Sequence, residues 1–292
     1  MAKTHRRILV ALSDPHGGHQ LGICAPGTII KEYDEKGELY DKEVELNPAQ
    51  EYLWNLLERG RKEVKKLAGK DQIDIFFGGD PINGNRIPHN NFTSSQSNQE
   101  LVAANVLEPW LSDKAVINFR MASSTQLHIN YEHSGDAGVE RILRERHKNK
   151  NIRLVRHGKV RVGEVLVDFA HHGPRGESIR DWLDGNQLRL YMQDIFYKSL
   201  RNGVELPTLV LRGHVHTRVE EWLIRFIRDK KIKMIGCTLP SLQLLTAYAE
   251  MATKSEDWIT NGIVAFEVVN GILAGEPIWL TETRDITSKE NL

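Results

Sequence analysis

The chain is 292 residues long, and its 39 lysines and arginines are balanced by 39 aspartates and glutamates. That balance excludes a protein held on nucleic acid by bulk charge, although a local basic patch stays open. No stretch approaches the ~20 apolar residues of a membrane span, and the apolar run behind the basic N-terminus is too short for a signal peptide, so a cytoplasmic protein without membrane contact is expected.

The length allows a sizeable core. With no repeat, low-complexity stretch or linker in view, one domain over residues 1–292 is expected, with loop insertions near 17–47 and 81–96. Cys24 and Cys237, far apart in sequence, read as reduced thiols. Twelve histidines are many for such a chain, and they have to be located.

In chain order, residues 7–12 form an apolar run that reads as a buried strand, and its carboxyl end delivers Asp14 and His16. Residues 17–47 are polar and read as a loop carrying a small hairpin. Asn47 caps a helix with Pro48 at its first position and Gln50 at its third. Leu53, Leu57, Val64 and Ala68 share one face of it. Residues 73–77 are a second strand, running into Gly78, Gly79, Asp80 and Pro81. Ser97 and Glu100 are spaced as a capping box for a helix to about Leu111, and 115–119 is the next strand.

Residues 136–146 read as a helix with Val139, Ile142 and Leu143 inward. Residues 152–155, 160–162 and 164–169 read as closely connected strands, with turns at Gly158 and Lys159 and at Gly163. The last strand leads into His171 and His172. A helix over 186–201 packs on a sheet through Leu188, Met192, Ile195, Phe196 and Leu200, and the strand 208–211 ends in Arg212, Gly213, His214, Val215 and His216. Residues 220–227, 234–235 and 263–269 have β patterning. Strands alternating with helices predict an α/β core with ligands gathered beyond the carboxyl ends of its strands.

Four strand ends thus present Asp14 and His16, Asp80, His171 and His172, and His214 and His216. A lone histidine after a strand is usually a surface or satisfied core residue, but four such ends beside glycines are hard to assign to packing. Imidazoles mixed with carboxylates suit divalent Mn, Zn, Fe or Ni better than Mg. The set is larger than one tetrahedral ion needs and matches two ions bridged by a carboxylate.

The pattern Asp14-x-His16, Gly79-Asp80, His171 after a strand and Gly213-His214-x-His216 resembles the calcineurin-like metallophosphoesterase superfamily, in its usual order and over most of the chain. The stretches from Gly79 to Gly84, from Ser124 to His128 and from Gly236 to Leu242 are similar to its branch common in phages and prophages. The resemblance implies an α/β four-layer sandwich, two mixed β-sheets face to face with helices on both outer faces. It implies that Asp14, His16 and His216 hold one divalent transition-metal ion, that His171 and His214 hold the other, and that Asp80 bridges them. His171 is preferred to His172 because it leaves the strand first. His172, Arg175 and Arg212 either face the substrate phosphate or are solvated loop residues.

One motif departs from the superfamily. Where Gly-Asn-His normally follows the middle strand, this chain reads on from Arg120 to His128. Asn118 is either a strand residue or a ligand, and His128 is the candidate for protonating the leaving group, with His133 as runner-up. The implied reaction is hydrolysis of a phosphomonoester or phosphodiester, in which two cations acidify a shared water for in-line attack. Ser13 adjoins the site without a dedicated base and reads as structural. The basic residues from Arg141 to Arg161, among them Arg144, Arg146, Lys148, Lys150, Arg153, Arg156 and Lys159, leave a nuclease open, but no aromatic residue interleaves them. A non-catalytic metal-binding or phage structural module is the third reading, and the oligomeric state is not readable.

Overall fold

The computed structural model describes residues 5–85, 90–124, 135–174, 185–246 and 258–287. In chain order the elements are β1 (Arg6–Leu12), β2 (Ile29–Tyr33), β3 (Leu39–Glu43), α1 (Pro48–Ala68), β4 (Gln72–Phe77), α2 (Gln96–Leu111), β5 (Val116–Ala122), α3 (Gly135–Arg146) and β6 (Asn151–Val155). There follow β7 (His157–Val162), β8 (Val165–Ala170), α4 (Asn186–Asn202), β9 (Leu209–Arg212), β10 (Val219–Ile227), β11 (Lys230–Thr238), β12 (Trp258–Val269) and β13 (Ile272–Asp285).

Two mixed sheets form the centre. The six-stranded one has the order β13-β12-β1-β4-β5-β6, and the five-stranded one the order β10-β11-β9-β8-β7. In the first, β1, β4, β5 and β6 run parallel; in the second, β8, β9 and β11 do. The continuous apolar run of β1 is explained by burial on both faces. Ile8, Val10 and Leu12 meet the helical layer of α1, α2 and α3, while Leu9 and Ala11 meet Leu209, Leu211, Ile235 and Cys237 of the other sheet. On the far side Leu188, Met192 and Phe196 of α4 cover Val210, Val219, Leu223 and Met234. Helices therefore flank the paired sheets on both outer faces, as the α/β sandwich requires. Each fully buried side chain of this size contributes about 1.5–3 kcal/mol.

Asn47 caps α1 as its sequence reads, with Asn47 accepting from the Gln50 amide and Gln50 accepting from the Asn47 amide. Two expectations need correction, and one strand goes beyond them. The cap of α2 is Ser95, not Ser97, and its hydroxyl accepts from the Asn98 amide. Asn98 is fixed there by the hairpin, since its side chain donates to the Lys31 carbonyl and accepts from the Lys31 amide. Gly158 and Lys159 make no turn. They lie within β7, and β6 and β7 belong to different sheets, so the chain changes sheet at Arg156. Gly158 pairs with Phe169, whose ring lies 2.1 Å from where a Cβ at 158 would be, so glycine is required by that close approach. Lastly, β13 escapes the sequence pattern because it is an edge strand with mostly half-buried residues.

Residues 29–43 form the expected hairpin, with Ile30 packed beside Cys24 and Val102. Both cysteines are buried and form no disulfide. Among the described residues no helix is long and apolar enough to cross a membrane.

Candidate metal centre

The parallel strands of both sheets end on one side, and there Asp14 and His16 follow β1, Asp80 follows β4, His171 follows β8, and His214 and His216 follow β9. Two trios result. One ligand atom from each of Asp14, His16 and His216 lies within 4.8 Å of the others, and the same holds for Asp80, His171 and His214. In the first trio His16 Nε2 and His216 Nε2 are 3.2 Å apart, and Asp14 Oδ1 is 3.2 Å from His216 Nε2 and 3.8 Å from His16 Nε2. In the second, His171 Nε2 is 3.1 Å from Asp80 Oδ2. The trios adjoin, because the His214 amide donates to Asp14 Oδ2 at 3.2 Å.

The backbone is strained at these residues. Asp14, His16, Asp80, His214 and His216 all have left-handed φ, at 55°, 46°, 50°, 73° and 57°. A non-glycine residue held there costs on the order of 1–3 kcal/mol, sustained only where the surroundings enforce it. Here they do: the Asp14 amide donates to the Gly79 carbonyl, the His16 amide to the Asp80 carbonyl, and Ser241 Oγ to the Asp14 carbonyl at 2.9 Å. Gly79 has φ 108°, and a Cβ there would lie 2.6 Å from His171 Nδ1, so only glycine lets that imidazole reach Asp80.

His171 Nδ1 lies 2.7 Å from the Gly78 carbonyl, which accepts its proton and leaves Nε2 facing Asp80. Asp14 Oδ1 and His171 Nε2 are buried without a hydrogen bond. Buried oxygen and nitrogen donors converging without hydrogen bonds, at strained strand ends, fit a pair of divalent transition-metal ions. The charges agree. Burial would raise the Asp14 carboxyl, but His216 and then His171 outweigh it and hold it down at about 2. Burial would lower His171, but Asp80 and Asp14 lift it to about 9. Partial desolvation, reinforced by His171, pushes His214 down to about 4 and lowers His172 as well, although both residues keep an exposed side.

His172 is exposed and belongs to neither trio, although its ring centroid is 4.7 Å from that of His214. Arg212 is neither a phosphate contact nor a solvated loop residue. It is fully buried, with Nη2 2.5 Å from Asp168 Oδ1, Nη1 donating to the Asp168 carbonyl and Nε donating to the Tyr191 hydroxyl. Asn118 is a strand residue pairing opposite Asp74, to which its Nδ2 donates at 2.6 Å, and it points at no trio. Ser13 is buried. His128, His133 and Arg175 lie outside the described residues.

The basic segment climbs β6 toward the site and descends β7 away from it, so only Arg156 and His157 reach the site end. Much of it is paired: Arg144 with Glu140, Arg146 with Glu108, Arg161 with Glu205, and Lys150 with the carbonyls of Asp113 and Val116.

Sequence reasoning missed what stands behind Asp80. The Asp80 amide donates to Ser124 Oγ at 2.8 Å, and both the hydroxyl and the amide of Ser124 donate to Asp136. Asp136 reads in the sequence only as a helix start, and no local signal joins it to a residue 12 positions earlier.

No protein-family model matches this chain, and no curated protein does. Among solved structures, the Thermotoga maritima protein TM1076, determined by NMR in solution, aligns at 13% identity over 62% of this chain and 87% of its own, with a TM-score of 0.27. The NAD nucleotidase of Haemophilus influenzae aligns at 10% identity over 95% of this chain and 50% of its own, with a TM-score of 0.35. The chain thus spans half the length of that nucleotidase.

Proposed function

We propose that this chain is a metal-dependent phosphoesterase of the calcineurin-like metallophosphoesterase superfamily, one domain that hydrolyses a phosphomonoester or phosphodiester in the cytoplasm. The observation that carries the reading is the pair of adjoining Asp and His trios at the strand ends. Asp14, His16 and His216 would hold one ion, His171 and His214 the other, with Asp80 shared between them. Bound there, two cations of Mn, Zn, Fe or Ni supply acidification of water and neutralisation of phosphoryl charge.

The side chains set the rest. Asp14 stays anionic across the physiological range because of His216 and His171. His171 is oriented by the Gly78 carbonyl, so its Nε2 faces inward. His172, exposed beside His214, is the proposed substrate contact, and His128 the proposed proton donor to the leaving oxygen. The phage and prophage branch is the finer assignment, and the stretches from Gly79 to Gly84 and from Gly236 to Leu242 support it.

The test is elemental analysis of the purified protein, followed by assays on an activated phosphomonoester, an activated phosphodiester and short DNA, with Mn²⁺, with Ni²⁺ and after chelation. Two ions per chain and chelator-sensitive hydrolysis are expected. Bound ions with no turnover on any substrate would leave a non-catalytic metal-binding module; folded protein without ions would overturn the reading.

A further inference from the structure

We infer that Ser124 and Asp136 are the positioning pair of Asp80, taking over the support of the metal centre at the place where the Gly-Asn-His motif is missing. The inference rests on the two-ion reading above. Asp80 sits at φ 50° just beyond β4, a conformation that relaxes unless something outside its own strand holds it. Ser124, two residues beyond β5, does so by accepting the Asp80 amide at 2.8 Å. Its hydroxyl proton goes to Asp136 Oδ1 and its amide to Asp136 Oδ2 at 2.8 Å, so one residue occupies both carboxylate oxygens.

The grip is built to hold. Ser124 and Asp136 are buried, at 8% and 1% exposure, where charge-assisted hydrogen bonds are strong and unmade ones costly. Asp136 lies in the first turn of α3, whose amide dipoles favour a carboxylate. The Ser124 oxygen has its proton committed to Asp136 and a lone pair to the Asp80 amide, so Ser124 acts on the centre through Asp80. An asparagine of the usual motif would act as a ligand. This chain instead ties α3, the end of β5 and the Asp80 turn together.

The experiment is Mn²⁺ binding by equilibrium dialysis over a concentration series, for the wild type, Ser124→Ala, Ser124→Thr and Asp136→Asn. Folding of each metal-free variant is checked by circular dichroism and melting. Two ions are expected in the wild type, with the affinity for both, which share Asp80, weakened roughly 10–100-fold in Ser124→Ala and in Asp136→Asn, as for lost outer partners of a metal site. Ser124→Thr keeps the hydroxyl and should restore it. Wild-type affinity for both ions in folded Ser124→Ala, or a loss in Ser124→Thr as large as in Ser124→Ala, would overturn the pairing. If Ser124→Ala does not fold, Asp136→Asn decides by the same criteria. A wild type that binds two ions beside unchanged variants sinks this inference alone, whereas a wild type that binds none sinks the function beneath it.

Discussion

The two ends of the six-stranded sheet each bury an aspartate, and they treat it differently. At the amino ends Asp74 of β4 is 2% exposed and lies in extended backbone, beside a register shift against β5. Gln72 and Asn118 donate to its Oδ1 at 3.0 and 2.6 Å, Arg7 Nε is 3.3 Å from its Oδ2, and Asn151 donates in turn to Asn118. At the carboxyl ends Asp14 is fully buried at left-handed φ, and its Oδ1 faces two imidazoles without a hydrogen bond. Burial of a carboxylate therefore marks no site by itself. Asp74 Oδ2 and Arg7 Nε are also buried without a hydrogen bond, so what separates the two ends is left-handed backbone and the gathering of each carboxyl-end aspartate into a trio of ligand side chains.

The sharpest break of that comparison is a pair of variants. Asp14→Asn is expected to lose more activity and ion affinity than the roughly 10–100-fold that outer partners of a metal site cost, with little loss of metal-free stability. Asp74→Ala should do the reverse: removing the acceptor shared by Gln72 and Asn118 and the ion-pair partner of Arg7 costs about 3 kcal/mol in urea unfolding, and the ion count stays at two. Ions lost from Asp74→Ala, or two ions kept by Asp14→Asn, would erase the distinction between the ends.

The carboxyl end should also couple to pH. His171, lifted to about 9 by Asp80 against its burial, stabilises the metal-free fold fully below its ordinary value of 6.5, and that contribution is lost as the pH rises through about 9. His214, pushed by partial desolvation and His171 down to about 4, contributes above 6.5, and that part is lost as the pH falls toward about 4. From these two residues, metal-free melting temperature should peak near pH 6.5. Ion uptake at pH 7 must displace the His171 proton, so affinity should rise by up to about tenfold per pH unit toward pH 9. Calorimetry in buffers of different ionisation heat counts that proton, and a pH-independent affinity would remove His171 from the centre.

Much of this was readable without coordinates, for a physical reason. Each of Asp14, Asp80, His171 and His214 lies within three residues of the end of an apolar run, so strand ends and chemistry coincide in the sequence. The parts that were not readable depend on partners remote in sequence. Arg212 stands beside Gly213 and His214 and reads as either a phosphate contact or a solvated loop residue, yet its partner Asp168 is 44 positions away and Tyr191 of α4 closes over it. Ser95 and Ser97 offer equal capping chemistry, and the choice is made by Asn98 docking on Lys31 of the hairpin. Asp80 and Ser124 are likewise 44 positions apart.

The smallest expected effect tests whether the amino-end network stays local. Asn151 lies at the rim of that network, where its Nδ2 donates to Asn118 Oδ1 at 2.9 Å in an exposed position. Water can replace an exposed bond, so Asn151→Ala should cost only about 0.5–1 kcal/mol in urea unfolding and leave ion count and pH dependence unchanged. Asn118 stays held by Asp74, and the parallel ladder between β5 and β6 stays hydrogen-bonded through the backbone. A larger loss accompanied by a weakened ion would mean that strain at the carboxyl ends is propped from the far end of the same strands, and the two ends would then be one device.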